Sequence, residues 1–243
     1  MTNVAIVQAR MGSTRLPGKV LQDIAGRTML ARVVERASRC RSLDGVVVAT
    51  TNGSEDDAIV EECRSVGVPV ARGSREDVLD RYYRAAAERD ADPIVRLTSD
   101  CPLLDPGVMG EVLDLFQKEG PDYASNVIVR TFPQGLDVEV VSRAALATAW
   151  REAKEPFERV HVTPFLYRHP ERFRLANLTA GGDFSVHRWT VDEPRDLEFV
   201  RAVYARLGAD GRFGWGEILD LLRREPGLLE INHGVRQKSL EEG

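Results

Sequence analysis

The chain has 243 residues, of which 43% are hydrophobic and 29% charged, and its formal net charge at pH 7 is −5. That length and apolar content suit one large domain or two small ones with a substantial core. The negative charge disfavours a broad nucleic-acid surface, which usually presents a basic face, and no apolar stretch approaches the roughly 20 residues that span a bilayer. Met1 leads into a predicted strand without a signal segment, and the three cysteines lack metal-binding spacing. We therefore expect a cytoplasmic protein with no nucleic-acid or membrane partner.

The first predicted element is a buried strand over residues 4–7, followed at once by a cationic loop over residues 8–19, QARMGSTRLPGK. Glycines let the backbone approach a ligand, and arginine, lysine and hydroxyl side chains bind phosphate oxygens. We therefore predict a nucleoside-triphosphate site in which Arg10, Arg15 and Lys19 receive the phosphates. A solvent-exposed basic turn is the structural alternative.

Two familiar phosphate-binding motifs do not fit this loop. A P-loop has four residues before its Gly-Lys and then Ser or Thr, whereas here five residues separate Gly12 from Gly18 and Val20 follows Lys19. The dinucleotide pattern G-x-G-x-x-G is also absent after the first strand. The loop is therefore neither a standard ATPase site nor a standard NAD site.

The rest of the first half alternates helices and strands, which predicts a parallel sheet with helices on both faces. In such a sheet the loops at the carboxyl ends of the strands share one rim, and ligands bind there. The cationic loop, Arg72 after the third strand, and Asp100 after the fourth strand should lie on that rim. The predicted helices cover residues 29–37, 56–66, 76–89 and 107–118, and the predicted strands 46–50, 68–70 and 94–97.

From about residue 122 the pattern changes to shorter elements, which we expect to extend the sheet and add a smaller substrate-facing part. The tail 237–243 is polar and expected to fray. The strand candidates are residues 137–141, 173–177 and 187–191, and the helix candidates are residues 143–153, 158–168, 193–206 and 215–224.

Two aspartates are candidate ligands for Mg²⁺, which is usually held by one or two carboxylates together with phosphate oxygens. Asp100 and Asp192 each follow a predicted strand, and each stands two residues before a proline. Strand-end carboxylates of one sheet can converge on one metal, and without a cation they should repel each other. Helix or turn capping is the alternative for both, and for Asp192 it is the stronger one on spacing alone.

Other charged residues have two interpretations each. Asp137 and Glu139 stand two apart on a predicted strand, so they share either a solvated edge or a polar site. Arg96, on an otherwise apolar strand, needs an anionic partner, either a ligand carboxylate or Asp100. Arg159 and His161 are predicted to open a helix, where an anion could bind or where the helix could simply start at the surface.

Residues 9–19, written A-R-x-G-S-x-R-x-P-G-K, resemble the signature of the sugar-acid cytidylyltransferases, which make CMP-3-deoxy-manno-octulosonate and CMP-sialic acids. The resemblance covers nearly the whole chain and is greatest to the spore-coat-polysaccharide branch. The further matching segments are RGS at 72–74, DVLDRY at 77–82, RLTSDCPL at 96–103, GLDVE at 135–139, ERxHVTP at 158–164 and RWTVDxPxDL at 188–197.

The resemblance implies a Rossmann-like, doubly wound α/β fold of the nucleotide-diphospho-sugar transferase kind, with a mostly parallel sheet. It implies a single domain over residues 1–236, with a CTP-binding half over about 1–121 and a sugar-binding half over about 122–236. The implied reaction uses CTP and Mg²⁺ to convert a sugar acid into a CMP-sugar for surface polysaccharide, releasing pyrophosphate. It also implies that the chain can assemble as a homodimer.

The resemblance assigns roles to individual residues. Asp196 is implied to support the turn that carries Asp192. Catalytic roles fall on Arg15, Lys19 and Asp100, and metal binding on Asp100 and Asp192. Nucleotide binding falls on Ala9, Arg10, Gly12, Ser13, Arg15, Lys19, Arg72, Ser74, Arg81 and Asp100, and substrate binding on Arg96, Asp137, Glu139, Arg159, His161 and Arg188.

Three alternatives remain open from the sequence. The acceptor could be a sugar phosphate instead of a sugar hydroxyl. A glycosyltransferase would share the fold, but the sequence Asp100-Cys101-Pro102 lacks the second aspartate of an Asp-x-Asp metal site. A non-catalytic nucleotide sensor would not need the full set of cations and acids.

Overall fold

The computed structural model describes residues 2–236, so the predicted tail 237–243 lies outside the described residues. Its strands form one seven-stranded sheet and one two-stranded hairpin. The strands are β1 (Val4–Gln8), β2 (Asp23–Ile24), β3 (Arg27–Thr28), β4 (Gly45–Thr51), β5 (Val70–Gly73), β6 (Ile94–Thr98), β7 (Tyr123–Ser125), β8 (Glu139–Val141) and β9 (Leu175–Asn177).

The large sheet has the strand order β5-β4-β1-β6-β8-β7-β9. β8 pairs antiparallel with both neighbours, and the other pairings are parallel. The predicted doubly wound, mostly parallel α/β fold is therefore confirmed. The pairing of Arg96 with Glu139 joins the first half of the chain to the second within this sheet.

The helices cover both faces of the sheet, because the buried side chains of each strand alternate between two apolar clusters. In β1, Ala5 and Val7 pack into one cluster with helices α1, α2, α4, α8 and α9, while Val4 and Ile6 pack into the other with α3, α5 and α7. No helix of residues 2–236 is long and apolar enough to cross a membrane. The helices are α1 (Met29–Ala37), α2 (Asp57–Ser65), α3 (Val78–Glu88), α4 (Pro106–Glu119), α5 (Arg143–Glu152), α6 (Pro156–His161), α7 (Pro164–Tyr167), α8 (Pro194–Leu207) and α9 (Trp215–Arg224).

The structure corrects several predictions for the second half. Residues 187–191 form no strand and contribute only an isolated bridge from Arg188 to Gln134. The predicted helix 158–168 is two short helices, α6 and α7, that break at Val162, and Pro164 starts the second. Arg159 and His161 therefore lie in the last turn of α6 and do not open a helix.

The prediction also missed short elements. The β2–β3 hairpin and strand β7 are too short to give a periodic hydrophobic signal. The predicted strand 137–141 begins only at Glu139, and the predicted strand 68–70 is displaced to Val70–Gly73.

Candidate active site

A cleft of about 410 Å³ opens at the carboxyl ends of β1 and β6, as the parallel topology requires. It contains ten of the predicted site residues: Ala9, Arg10, Gly12, Ser13, Arg15, Lys19, Arg81, Asp100, His161 and Asp192. The remaining lining residues are Gln8, Thr14, Val20, Val78, Thr98, Ser99 and Val160.

The cationic loop folds back on itself above β1. The Met11 carbonyl accepts hydrogen bonds from the Ser13 and Gly18 N–H groups at 3.0 and 3.1 Å. Gly18 has φ 67°, a left-handed conformation that glycine adopts without strain, and it starts the short helical turn that carries Lys19. The buried carboxylate of Asp56 accepts the Met11 N–H at 2.7 Å and so fixes the loop against the end of β4.

Lys19 lies between the two predicted metal ligands. Its Nζ is 3.0 Å from Asp100 Oδ2, 3.0 Å from Asp192 Oδ1 and 2.7 Å from the Val191 carbonyl oxygen. The two carboxylate oxygens are therefore at most about 6 Å apart. The structure thus brings the carboxylates of Asp100 and Asp192 together around the ammonium group of Lys19.

Charge pairing sets the protonation states at this point. Burial alone would raise the pKa of Asp100, but Lys19 and hydrogen bonds from Thr98 and Lys19 outweigh it and hold that pKa at about 2. Burial alone would lower the pKa of Lys19, and the two carboxylates raise it above its ordinary value. Burial and the nearby charge of Asp100 would each raise the pKa of Asp192, so the expected repulsion is present, but Lys19 and Arg188 outweigh both and lower that pKa.

Asp192 is placed by side chains and a backbone bridge, since no strand precedes it. The Val191 N–H donates to the Asp100 carbonyl oxygen at 2.8 Å, which ties the two aspartate segments together. Arg15 and Arg188 approach Asp192 Oδ2 at 3.1 and 2.8 Å.

Asp196 supports the turn that carries Asp192. Its carboxylate accepts the N–H groups of Asp192 and Glu193 at 2.9 and 3.0 Å, at the start of α8. It also pairs with Arg188 Nε at 3.0 Å, and the Asp196 residue is fully buried. Arg188 therefore contacts the site through Asp192 and does not line the cleft.

Two arginines in the cleft, Arg10 and Arg81, form no ion pair with a carboxylate among the described residues. Arg10 is exposed and forms no ion pair within residues 2–236, and Arg81 is 3% exposed with no hydrogen-bond partner for Nε or Nη1. Burial, reinforced by the like charge of Arg10, lowers the pKa of Arg81. A buried guanidinium with free donors is suited to an anionic ligand.

Arg72 and Ser74 lie outside the cleft lining. The Arg72 guanidinium is already used by the Thr51 and Gly53 carbonyl oxygens and by Asp57, at 2.7 to 2.8 Å. The Ser74 hydroxyl accepts the N–H groups of Glu76 and Asp77 and shapes the entry to α3. Their predicted contacts with the nucleotide stay a prediction.

Arg96 and Glu139 pair with each other beneath the cleft floor, so the partner of Arg96 within the protein is Glu139 and not Asp100, which the sequence had suggested. Glu139 also accepts the Tyr123 hydroxyl at 2.6 Å and the Thr163 hydroxyl. Burial would lower the pKa of Arg96, and Glu139 reverses that shift and raises it. Neither Arg96 nor Glu139 lines the cleft.

Asp137 and Arg159 are also used within the protein. Asp137 precedes β8 and does not share a strand face with Glu139; it accepts two hydrogen bonds from Arg130 at 2.6 and 2.7 Å. Arg159 pairs with Asp77 at the start of α3, with Nε 3.1 Å from both carboxylate oxygens. Of the six predicted substrate-binding residues, His161 reaches the cleft lining.

Sequence reasoning missed several lining residues. Thr98 and Ser99 stand immediately before Asp100 at the end of β6, and this position was a signal that could have identified them. Gln8 ends β1 in the same way. Val78 and Val160 are apolar residues of helices, and nothing in their local sequence distinguishes them from core positions.

The two carboxylates fit a magnesium ion that also binds phosphate. No group of three or more metal-binding side chains occurs in the described part of the chain. Mg²⁺ usually takes one or two carboxylates and completes its coordination with substrate phosphates and water, so a pair is the expected protein contribution.

A mostly parallel α/β sheet with a cationic glycine loop and paired carboxylates at its carboxyl edge defines an enzyme of the nucleotidyltransferase class. A family model described as "Cytidylyltransferase" matches residues 4–207. The chain belongs to this family, whose members are CTP-dependent nucleotidyltransferases. This membership sets aside the glycosyltransferase and sensor alternatives.

Relatives and a solved structure agree with this assignment. The spore coat polysaccharide biosynthesis protein SpsF of Bacillus subtilis is 34% identical, covering 91% of this chain and 94% of its own. A 3-deoxy-manno-octulosonate cytidylyltransferase of Anaeromyxobacter dehalogenans is 30% identical, covering 84% and 99%. A solved cytidylyltransferase from Leptospira borgpetersenii superposes with a TM-score of 0.92 at 31% identity, covering 98% of this chain and all of that one.

Proposed function

We propose that this enzyme transfers CMP from CTP to a hydroxyl group of a sugar acid, with Mg²⁺, and releases pyrophosphate. The resulting CMP-sugar would supply surface polysaccharide synthesis. The names of two full-length relatives support this proposal, one for the sugar acid and one for the polysaccharide.

The observation that carries the proposal is the convergence of Asp100 and Asp192 on one cation-binding point inside the cleft. Arg10 and Arg81 lie in the same cleft and form no ion pair among the described residues, so we expect them to bind an incoming triphosphate. A metal–nucleotide complex needs carboxylates for its metal ion and cations for its phosphates. We expect Asp100 and Asp192 to serve the metal, and Arg10 and Arg81 the phosphates.

The reaction needs alignment and charge neutralisation more than covalent help from the protein. The acceptor oxygen would form a bond to the α-phosphorus, the bond to the bridging oxygen would break, and pyrophosphate would leave with its electron pair. The hydroxyl proton is released to water. A magnesium ion held by Asp100 and Asp192 would neutralise phosphate charge.

Lys19 and Arg15 are placed to change partners when substrate binds. Both are paired with Asp192 in this state, and Lys19 also with Asp100. With a metal ion held by the two carboxylates, Lys19 and Arg15 would be available to phosphate oxygens. Donors that meet charge developing on a leaving group accelerate the chemical step.

Pyrophosphate release tests the proposal, with CTP, Mg²⁺ and three separate acceptors: 3-deoxy-manno-octulosonate, a sialic acid and a sugar 1-phosphate. We expect turnover with a sugar acid, and a loss of about 100-fold or more in kcat for Asp192→Asn. The matched control is Asp220→Asn, an exposed carboxylate of α9 that pairs with Arg223.

A preference for the sugar 1-phosphate would overturn the sugar-acid assignment and favour the sugar-phosphate alternative. Unchanged turnover in Asp192→Asn would remove that carboxylate from the active site.

A further inference from the structure

The wall of the cleft formed by α6 ends in a strained turn. Val162 has φ 75° and ψ −55°, and the Thr163 N–H donates to the His161 carbonyl oxygen at 2.9 Å. These values define a classic γ-turn, a rare conformation. For a β-branched residue a positive φ is strained, since its side chain crowds the backbone.

Val162 differs from the other residues with positive φ. Among non-glycine residues of the described chain, Ala25 and Asp90 also have positive φ, at 53° and 50°. Both have φ values typical of the left-handed helical region and lie in turns. Val162 lies outside that region, so its conformation must be imposed by its surroundings.

Two contacts impose the turn. The Val162 side chain is 1% exposed and packs into the apolar cluster beneath the sheet. The next residue, Thr163, is 2% exposed and donates its hydroxyl to Glu139. Glu139 in turn pairs with Arg96, whose Nη2 reaches Gln8 Oε1 in the cleft floor at 3.3 Å.

The turn determines what α6 presents to the cleft. Val160 and His161, the two residues before the turn, line the cleft, while Val162 and Thr163 are buried. Among the lining residues of the described chain, these two and Asp192 come from beyond residue 121. The phosphate-binding charges come from residues 10–81, so the α6 wall is left for the second substrate.

We propose that Val162 and Thr163 are positioning residues for the acceptor. The γ-turn, anchored by the Thr163–Glu139 hydrogen bond, holds Val160 and His161 at the acceptor side of the cleft. This inference rests on the proposed function for its kinetic test, and its stability test is independent of that function.

The stability test compares glycine with alanine at position 162. At an ordinary helical position alanine is more stable than glycine, whereas at φ 75° glycine avoids the strain that alanine keeps. Val162→Gly should therefore unfold at a higher urea midpoint than Val162→Ala. The matched pair at Val200, fully buried within α8, should show the opposite order. If Val162→Ala instead unfolds at the higher urea midpoint, as at a helical position, the turn is not strained.

The kinetic test removes the hydrogen bond from the Thr163 hydroxyl to Glu139. Thr163→Val should raise the KM for 3-deoxy-manno-octulosonate about fivefold or more and leave the KM for CTP within twofold, and Thr163→Ser should restore the wild-type value. Thr148→Val, which removes a solvent-exposed hydroxyl group from α5, is the control. Equal changes in both KM values, or failure of Thr163→Ser to restore, would overturn the positioning role.

The two failures are distinguishable. If the wild type shows no turnover with any sugar acid, the proposed function and the acceptor-positioning role both fail. The Val162 pair still decides whether the strained turn exists.

Discussion

At the scale of single residues, Lys19 determines how the site is organised without ligand. It uses all three ammonium protons on Asp100, Asp192 and the Val191 carbonyl oxygen, and its side chain is only 12% exposed. The sequence predicted that Lys19 and the aspartates share one rim, but it assigned the lysine to phosphate alone. Side-chain pairing across 81 and 173 residues of sequence separation is a tertiary property that no local pattern encodes.

Removing the lysine charge should expose the carboxylate pair to metal. Without CTP, Lys19→Met should bind Mn²⁺ about tenfold more tightly than the wild type, since the metal no longer competes with the ammonium group. Electron paramagnetic resonance of free Mn²⁺ measures this affinity. Lys118→Met, near the end of α4, is the control. Equal affinities for Lys19→Met and wild type would show that the ammonium does not occupy the metal position.

His187 is expected to make the free energy of unfolding depend on pH. Burial lowers the pKa of His187 below its ordinary value of 6.5, and its Nδ1 has no hydrogen-bond partner within residues 2–236. Below pH 6.5 the unfolded chain therefore takes up a proton at this residue before the folded chain does, so acidification lowers the free energy of unfolding.

His187→Gln should lose less stability than the wild type between pH 7.5 and pH 5.5, measured by urea unfolding at each pH. The remaining histidines are common to both proteins and cancel in the comparison. The same loss in both proteins would contradict a depressed histidine pKa.

At the scale of elements, the end of β5 limits the space that is available to the side chain of Arg81 on α3. A Cβ added at Gly73 would lie 2.7 Å from Arg81 Cγ, too close for the arginine to keep its path into the cleft. Glycine at this position therefore leaves room for the neighbouring arginine side chain.

Gly73→Ala should weaken CTP binding about tenfold, which corresponds to about 1.4 kcal/mol, because Arg81 must move. Calorimetry with CTP and Mg²⁺ measures the dissociation constant. Gly45→Ala, also on a strand but with no atom within 4 Å of the added Cβ, is the matched control. Unchanged CTP affinity in Gly73→Ala would remove Arg81 from the nucleotide site.

Elements with a strong periodic signal were predictable, and those defined by distant partners were not. The predicted helix at 215–224 coincides with α9, and residues 107–118 lie within α4. Residues 187–191 are rich in β-branched and aromatic side chains, yet their backbone groups pair with Gln134 and with the Asp100 carbonyl oxygen in place of a strand neighbour. Strand propensity describes a half-buried surface more than a backbone preference, so it misled here.

At the scale of the whole molecule, one sheet joins the two halves that the sequence distinguishes. The antiparallel pairing of β6 with β8 continues the first half of the sheet into the second. The backbone bridge between Val191 and Asp100 then places Asp192 beside the carboxyl end of β6. The alternation of elements predicted the rim, but the closure of the second half onto that rim depends on these long-range pairings.

The central claim is that Asp100 and Asp192 together hold the divalent cation that accompanies CTP. Mn²⁺ binding in the presence of saturating CTP tests it directly, with the stoichiometry read by electron paramagnetic resonance in wild type, Asp100→Asn, Asp192→Asn and Asp137→Asn. Asp137 pairs with Arg130 outside the cleft lining, so it is the matched control. We predict one tightly bound Mn²⁺ per chain in the wild type and in Asp137→Asn, and its loss in each of the other two variants. Retention of that ion in either Asp100→Asn or Asp192→Asn would contradict the shared site.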